Sequence, residues 1–481
     1  MKRYKTLSFS LAVLMLLCLA LLTPANQGLA QGEEPAGPVY IVQEGDSLWS
    51  IALRFRVSVD DLVAINNMSN PNQLVLGDRL VIPGLTGVQG VLVSTTVAYG
   101  DTLRSLSRRY GIAEEMLIRL NHLTSPAELY VGAPLVLVEQ ETTPKAEMRS
   151  LLSSEQSLLE LAVAQGGNPW SYVISNNLQG TWDAIPGDVL RQSIESETGT
   201  VTYGPSSLPG AITAIELQPS PYVQGKAAVI RVTAKPGMTL SGSLNERQLE
   251  FFPDENGDYI SMMGVHAMTK PGLYPLVLSG NLPETAPDNS AAFSFSQAVY
   301  IRSGNYPFDP VLIVSPETID PAVTAPEDAQ WTALASTVTP EKLWQGAFQN
   351  PMPEPFQECW PSRFGNRRSY NGSAYVYFHS GLDFCGGVGI EIYAPANGIV
   401  VFAGPLTVRG NATMIDHGWG VYSAYMHQSE IKVQVGDRVE PGQVIGLVGG
   451  TGRVTGPHLH WEIWSGGVQV DPLDWLQQTF P

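Results

Sequence analysis

The chain reads as a multidomain protein: small α+β repeats near the N-terminus, an all-β sandwich in the middle and a mainly antiparallel β domain at the C-terminus. Three observations predict this. A pattern of apolar, Gly, Asp and Asn positions recurs at a constant spacing of 55 residues, Gly45 to Gly100. A central region of short β-rich runs is broken by Pro-Gly and Asn-Gly turns. Four of the seven histidines fall in three short segments near the C-terminus. At 481 residues the chain is too long for a single core.

Residues 1–30 carry Lys2, Arg3 and Lys5, then an apolar run from about Leu7 to Leu22, then Gly28 and Ala30. That layout predicts a secretory signal peptide cut after Ala30. An uncleaved anchor is the alternative, since the run is just long enough to span a bilayer. Leu17 precedes Cys18 where a lipoprotein signal needs a small residue, so a lipid anchor there is not expected.

The repeat spans 38–84 and 93–139. Val42, Gly45, Asp46, Leu48, Ile51 and Phe55 return as Val97, Gly100, Asp101, Leu103, Leu106 and Tyr110. Leu62, Ile65, Asn66, Gly77, Leu80 and Ile82 return as Leu117, Leu120, Asn121, Gly132, Leu135 and Leu137. Twelve matches at one offset make a tandem repeat. Each unit reads strand, helix, helix, strand, with Asp46 as a helix cap and Ser58 capping the second helix. The units resemble LysM modules, which bind the N-acetylglucosamine of bacterial glycans. The resemblance places sugar contacts in the loops 46–48 and 70–75, at Asp46, Ser47, Leu48, Asn72 and Leu74. A weaker copy at 150–195 keeps Leu158, Leu161, Ala162, Asn176, Gly187 and Asp188. It lacks a readable first strand and the Gly-Asp pair after it, and is expected to be a degenerate, packing module.

Over 211–303, about seven short strands in roughly ninety residues predict an immunoglobulin-like sandwich. It carries no chemical constellation and reads as a spacer or docking module. Residues 304–358 are rich in proline and read as a linker with helices near 325–336 and 339–346. Thr339 suits the cap of the second and Pro340 its first position. Trp331 and Trp344 are expected to dock on a neighbouring domain. Beyond the signal the cysteines are Cys359 and Cys385, and in an exported protein they are expected to form a disulfide.

The last domain, 359–481, holds His379-Ser-Gly-Leu-Asp383, His427 and Gly456-Pro-His458-Leu-His460. A catalytic zinc takes three protein ligands of imidazole or carboxylate type and one open position. Residues an even number apart on a strand share a face, so His379 with Asp383 and His458 with His460 can each aim at one point. Four imidazoles and a carboxylate exceed three ligands, and the surplus suits proton transfer or oxyanion stabilisation.

These segments, with Ile392-Tyr-Ala-Pro-Ala-Asn-Gly-Ile-Val400, Val435-Gly-Asp-Arg-Val439, Pro441-Gly-Gln-Val-Ile-Gly446 and Gly449-Gly-Thr-Gly452, resemble the LytM/lysostaphin-type M23 zinc metallopeptidases, which cut peptidoglycan peptides. The resemblance implies Zn2+ held by His379, Asp383 and His460, with His427 and His458 as the catalytic pair. Which of the two is the base stays open. It implies an exported endopeptidase acting on wall peptides while LysM repeats grip glycan strands. A metal-free activator of a cell-wall amidase is the alternative, as is a protein that only binds wall. His417 is expected to lie outside the metal shell, and His122 and His266 to be structural. With 27 basic against 45 acidic residues, net charge −18, the chain is repelled by nucleic acid and anionic lipid.

Overall fold

Helix caps and one asparagine fix the shape of each repeat. The computed structural model describes residues 37–481 except 71–73, 86–87, 140–146, 154–155, 194–206 and 282–291. The expected signal segment and Asn72 therefore lie outside the described residues. No helix among the described residues is long and apolar enough to cross a membrane. The chain divides into two units, residues 1–93 with 138–140, and residues 94–137 with 141–481.

In the first unit, strand Val39–Ile41 pairs antiparallel with Arg79–Val81 and parallel with the chain at Val91. Helices Leu48–Phe55 and Val59–Ile65 bury Leu48, Ile51, Phe55 and Leu62 beneath it. The first helix is capped by Ser47, whose hydroxyl accepts from the Ser50 amide. Asp46 is not the cap, because its carboxylate is already bonded to the Tyr40 hydroxyl, the Gln43 amide and Arg54. Asn66 then ties helix to strand: its amide donates to Leu62 O and Val81 O, and its carbonyl accepts from Val81 N.

The same clamp recurs in the second unit at Asn121, on Leu117 and Val136, and at Asn176, on Tyr172 and Arg191. The third copy is thus a complete repeat. It has the first strand that its sequence hides: Glu147–Leu151 pairs antiparallel with Val189–Ser193. The residues after that strand lack the Gly-Asp turn, which removed the signal. Neighbouring elements hold it instead, since the Arg149 guanidinium donates to Leu208 O and Ile212 O.

The central β domain has two sheets. One orders Arg247–Leu249, Thr239–Leu244, Gly272–Asn281, Ala292–Arg302 and Tyr222–Val223; the other orders Phe252–Pro253, Tyr259–Gly264, Ala227–Ala234 and Ile212–Gln218. In Ala227–Ala234 alternate residues enter different cores. Ala228, Ile230 and Val232 pack inside the β domain, while Ala227 and Val229 join the core of the C-terminal domain. Burial on both faces accounts for the apolar run Ala227–Ile230, and the polar Arg231 and Thr233 follow where the strand is only partly buried. Lys226 adds ion pairs to Asp471 and Asp474, at 2.9 and 2.7 Å.

The C-terminal domain is built on an antiparallel sheet ordered Leu382–Cys385, His458–Ser465, Val421–Gln428, Gly410–Gly418, Gly398–Leu406 and Arg438–Val439. The segment expected as a linker is part of this domain. Helix Pro321–Ala335 lays Trp331 and Ala335, both fully buried, on Met414, Tyr422, Ala424 and Trp464. The second helix expected at 339–346 does not form. The Thr339 hydroxyl bonds Asp416 instead of capping, and the backbone around it pairs with the sheet through Trp419 N to Thr339 O and Leu343 N to His417 O. Trp344, Phe348 and Met352 then enter the core with Phe384, Leu459 and Trp461.

Candidate functional site

Sheet register brings the site together. Asp383 stands directly opposite His460 across an antiparallel pair, and Met426 stands opposite His460 on its other side. Cross-strand partners share a face, and the period of two puts His458 on that face with His460. His379 precedes the Asp383 strand and reaches it across Gly381. A Cβ on Gly381 would fall 2.4 Å from Trp461 O and 2.8 Å from the His460 ring, so only glycine fits there. In a regular strand His427 would face away from Met426. Its φ of +64° breaks the alternation, beside a register shift between Asn411 and Thr413. The His427 ring comes to lie 5.0 Å from that of His458 and 6.0 Å from that of His460.

Three donor atoms converge. Asp383 Oδ1 lies 2.9 Å from His379 Nε2 and 2.7 Å from His460 Nδ1, and the two nitrogens are 3.0 Å apart. All three residues are buried. Ligands at zinc–nitrogen and zinc–oxygen distances form a tetrahedron with edges of about 3.3 Å. Two imidazoles and a carboxylate on that scale fit Zn2+, which is the ion this donor set takes, with a fourth position left for solvent or substrate.

Neighbours fix each ring. His379 Nδ1 donates to Arg363 O at 2.9 Å, with Ser362 Oγ at 3.1 Å, leaving Nε2 to face Asp383. His460 Nε2 faces Glu462 Oε1 at 3.4 Å, leaving Nδ1 for the centre. Glu462 is itself held by the indoles of Trp331 and Trp464, at 3.2 and 2.8 Å. Burial works against the Glu462 charge, but His460 and Arg409 outweigh it and pull its pKa to about 2. A carboxylate behind a metal-facing histidine sets its tautomer and raises its basicity. Neither Glu462 nor Trp331 was predicted as a site residue. The signal for Glu462 was its place on the His458 and His460 face of the strand.

His427 Nδ1 donates to Thr451 O and His458 Nδ1 to Gly456 O, each at 2.8 Å. Both Nε2 atoms thereby face the cavity side of the ring, that of His458 lying 3.7 Å from Asp383 Oδ1. Burial, with the charges of His460 and His458, depresses the His427 pKa to about 3, so its ring is neutral near pH 7. His417 lies elsewhere, fully buried between Asn397 O and Ser423 Oγ. His122 ends a helix, and His266 accepts from the Met268 amide. Cys359 and Cys385 are joined, tying the segment that holds His379 to the strand of Asp383.

A cavity of about 530 Å³ opens over these groups, lined by His427, His458, His460 and Asp383. Its lining also includes Asp309, Leu312, Val314 and Asp328 from the stretch before Cys359.

In the first repeat the residues expected to touch sugar are largely spent internally. The Asp46 side chain is 4% exposed in its ion pair with Arg54, Ser47 caps the helix and Leu48 is buried. Leu74 is half-buried. Among the described residues in and beside these loops, the large apolar side chains left exposed are Trp49, Val75 and Leu76, at 68, 61 and 69%. Val75 lies in the loop expected to touch sugar; sequence reasoning missed Trp49 and Leu76, although each is an apolar residue outside the core phase.

Residues 377–472 match Peptidase family M23, and residues 40–83 and 95–138 match the LysM domain. The peptidoglycan DD-endopeptidase ShyA of Vibrio cholerae is 39% identical over 131 residues, 27% of this chain and 30% of that protein. The DD-carboxypeptidase/endopeptidase Mpg of Neisseria meningitidis is 43% identical over 95 residues, 20% of this chain and 22% of that protein. The chain thus spans less than a third of the length of these relatives. Among solved structures, the catalytic domain of lysostaphin from Staphylococcus simulans is 28% identical, covers 31% of this chain and 98% of its own, and has a TM-score of 0.21. Residues 377–472 are a domain of peptidase family M23, carried on a chain with two LysM domains.

Proposed function

We propose that this chain is a zinc endopeptidase that hydrolyses the peptide cross-links of peptidoglycan outside the cytoplasm while its LysM repeats hold glycan strands. One observation carries the reading: His379, Asp383 and His460 converge within hydrogen-bond distance, and the rings of His427 and His458, oriented through Nδ1, stand beside them. An amidase activator or a wall adhesin has no use for that constellation.

His379, Asp383 and His460 would hold the ion. When bound, zinc lowers the pKa of a coordinated water from about 15.7 towards about 7 and polarises a carbonyl. One of His427 and His458 takes a proton from the attacking water through Nε2 and passes it to the amide nitrogen as the C–N bond breaks, so that the amine leaves neutral. The other, protonated from solvent, donates to the carbonyl oxygen as it gains charge. The carbonyls of Thr451 and Gly456 keep those two rings oriented throughout. The two-sheet domain is read as an immunoglobulin-like sandwich, a reading its two facing sheets support. Tethering to glycan raises the local concentration of cross-links, which offsets weak contacts in a single repeat.

The test is hydrolysis of purified cross-linked muropeptides, followed by mass spectrometry and zinc analysis. Ala substitutions at His379, Asp383 or His460 should remove both zinc and activity. Ala at His427 or His458 should keep zinc while kcat falls by about 10²–10⁴-fold. A zinc-loaded wild type that cleaves nothing, or a His460→Ala protein that still lyses sacculi, would overturn the proposal.

A further inference from the structure

The catalytic cavity has three guanidinium groups among the described residues, and they differ in what neutralises them. Arg368 lies 3.4 Å from Asp309 and 3.7 Å from Asp383. Arg409 is paired with Glu327 at 2.9 Å and Asp328 at 2.8 Å. Arg453 has no carboxylate within ion-pair reach among the described residues. It donates one bond, to Thr318 O at 2.9 Å, and lies over the Tyr370 ring at 4.6 Å.

A guanidinium cannot discharge itself by losing a proton, and its flat fork matches a carboxylate with two parallel bonds. Stacking on Tyr370 and the single bond to Thr318 hold the Arg453 fork in place at little further entropic cost, while most of its N–H donors remain open. The chain carries a net charge of −18, and the cavity's other two arginines are already satisfied. Arg453 is thus a fixed, half-buried cation, on the turn leading to His458 and in the same cavity as His427.

We infer that Arg453 is a specificity-determining residue that receives a free carboxylate of the substrate peptide beside its scissile amide. This rests on the proposed hydrolase reading and names its substrate class: cross-link peptides whose neighbouring carboxyl is free, not amidated. The bond to Thr318 and the stack on Tyr370 make Arg453 a pre-set contact, so the carboxylate registers the amide against His427 and His458.

The test uses full-length, zinc-loaded protein and two probes, a cross-linked muropeptide dimer with free carboxyls and the same dimer amidated. The wild type should favour the free form by about tenfold or more in kcat/KM, the range of a charge-assisted contact. In Arg453→Gln the ratio should fall towards one. In Arg453→Lys, which keeps charge without the fork, it should lie between. Thermal melts of each variant establish that it is folded. A wild type indifferent to amidation, or a folded Arg453→Gln that slows both dimers by the same factor, overturns the inference. Failure of the wild type to cleave either dimer, with no difference from His460→Ala, sinks the hydrolase reading and this inference with it.

Discussion

The first and second repeats share a core pattern and differ in what their turns meet. In the first, the turn at Glu44 and Gly45 is exposed, and Trp49 stands out from the helix beside it. In the second, Tyr99 replaces Glu44, is 3% exposed, and donates to Leu276 O and Phe295 O of the β domain. The carboxamide of Gln297 enters the same turn, accepting from Gly100 N and donating to Asp101 O and Leu129 O. Arg104 and Arg108 stand where the first repeat has Trp49 and Leu53, and both pair with Asp188 of the third repeat. One scaffold thus presents a free surface in one copy and an internal joint in the next. A few surface substitutions decide which, while the core pattern stays constant.

That contrast can be broken at four places. Tyr99→Ala should lose about 3–5 kcal/mol, as expected for a large buried ring, read as a lower unfolding midpoint and faster amide exchange along Ala292–Arg302. Glu44→Ala, its counterpart, should stay within about 0.5 kcal/mol; equal losses would end the distinction. Gln297→Ala strands one amide and two carbonyls, and should cost about 2–3 kcal/mol, visible as exchange at Gly100. Trp49→Ala should weaken binding to purified sacculi by about fivefold to tenfold, about 1–1.4 kcal/mol, without lowering the melting temperature. Arg104→Ala should leave sacculus binding as it is. One modest loss should be common to both copies: Ser47→Ala and Thr102→Ala each remove a capping-box hydroxyl, at about 1 kcal/mol. A difference between these two would mean that the shared scaffold is not energetically shared.

The metal-facing residues were legible because their spacing is local and strand-periodic: His458 and His460 share a face on any extended chain. The position of His427 was readable, but its approach to the site depends on a left-handed backbone that no periodicity encodes. The repeats announced themselves through core positions, yet the choice of Ser47 over Asp46 as cap turned on partners from other elements, Tyr40 and Arg54. The helix expected at Thr339 failed for the same reason, since Asp416 lies 77 residues away in the chain. The hidden first strand of the third repeat shows the converse. Its turn signal is gone, but Asn176 and the Leu158 face still specify the fold.

The stretch that matches the peptidase family begins at residue 377, yet part of the lining of the catalytic cleft comes from Asp309 to Val314, and the indole behind Glu462 from Trp331. A graft of the matched stretch into another host would carry the metal-binding side chains and leave more than a third of the groove lining behind. The portable unit of selectivity in this protein therefore starts before its recognisable catalytic motif, and exchanging the preceding segment is a route to retune what is cut without touching the residues that cut it.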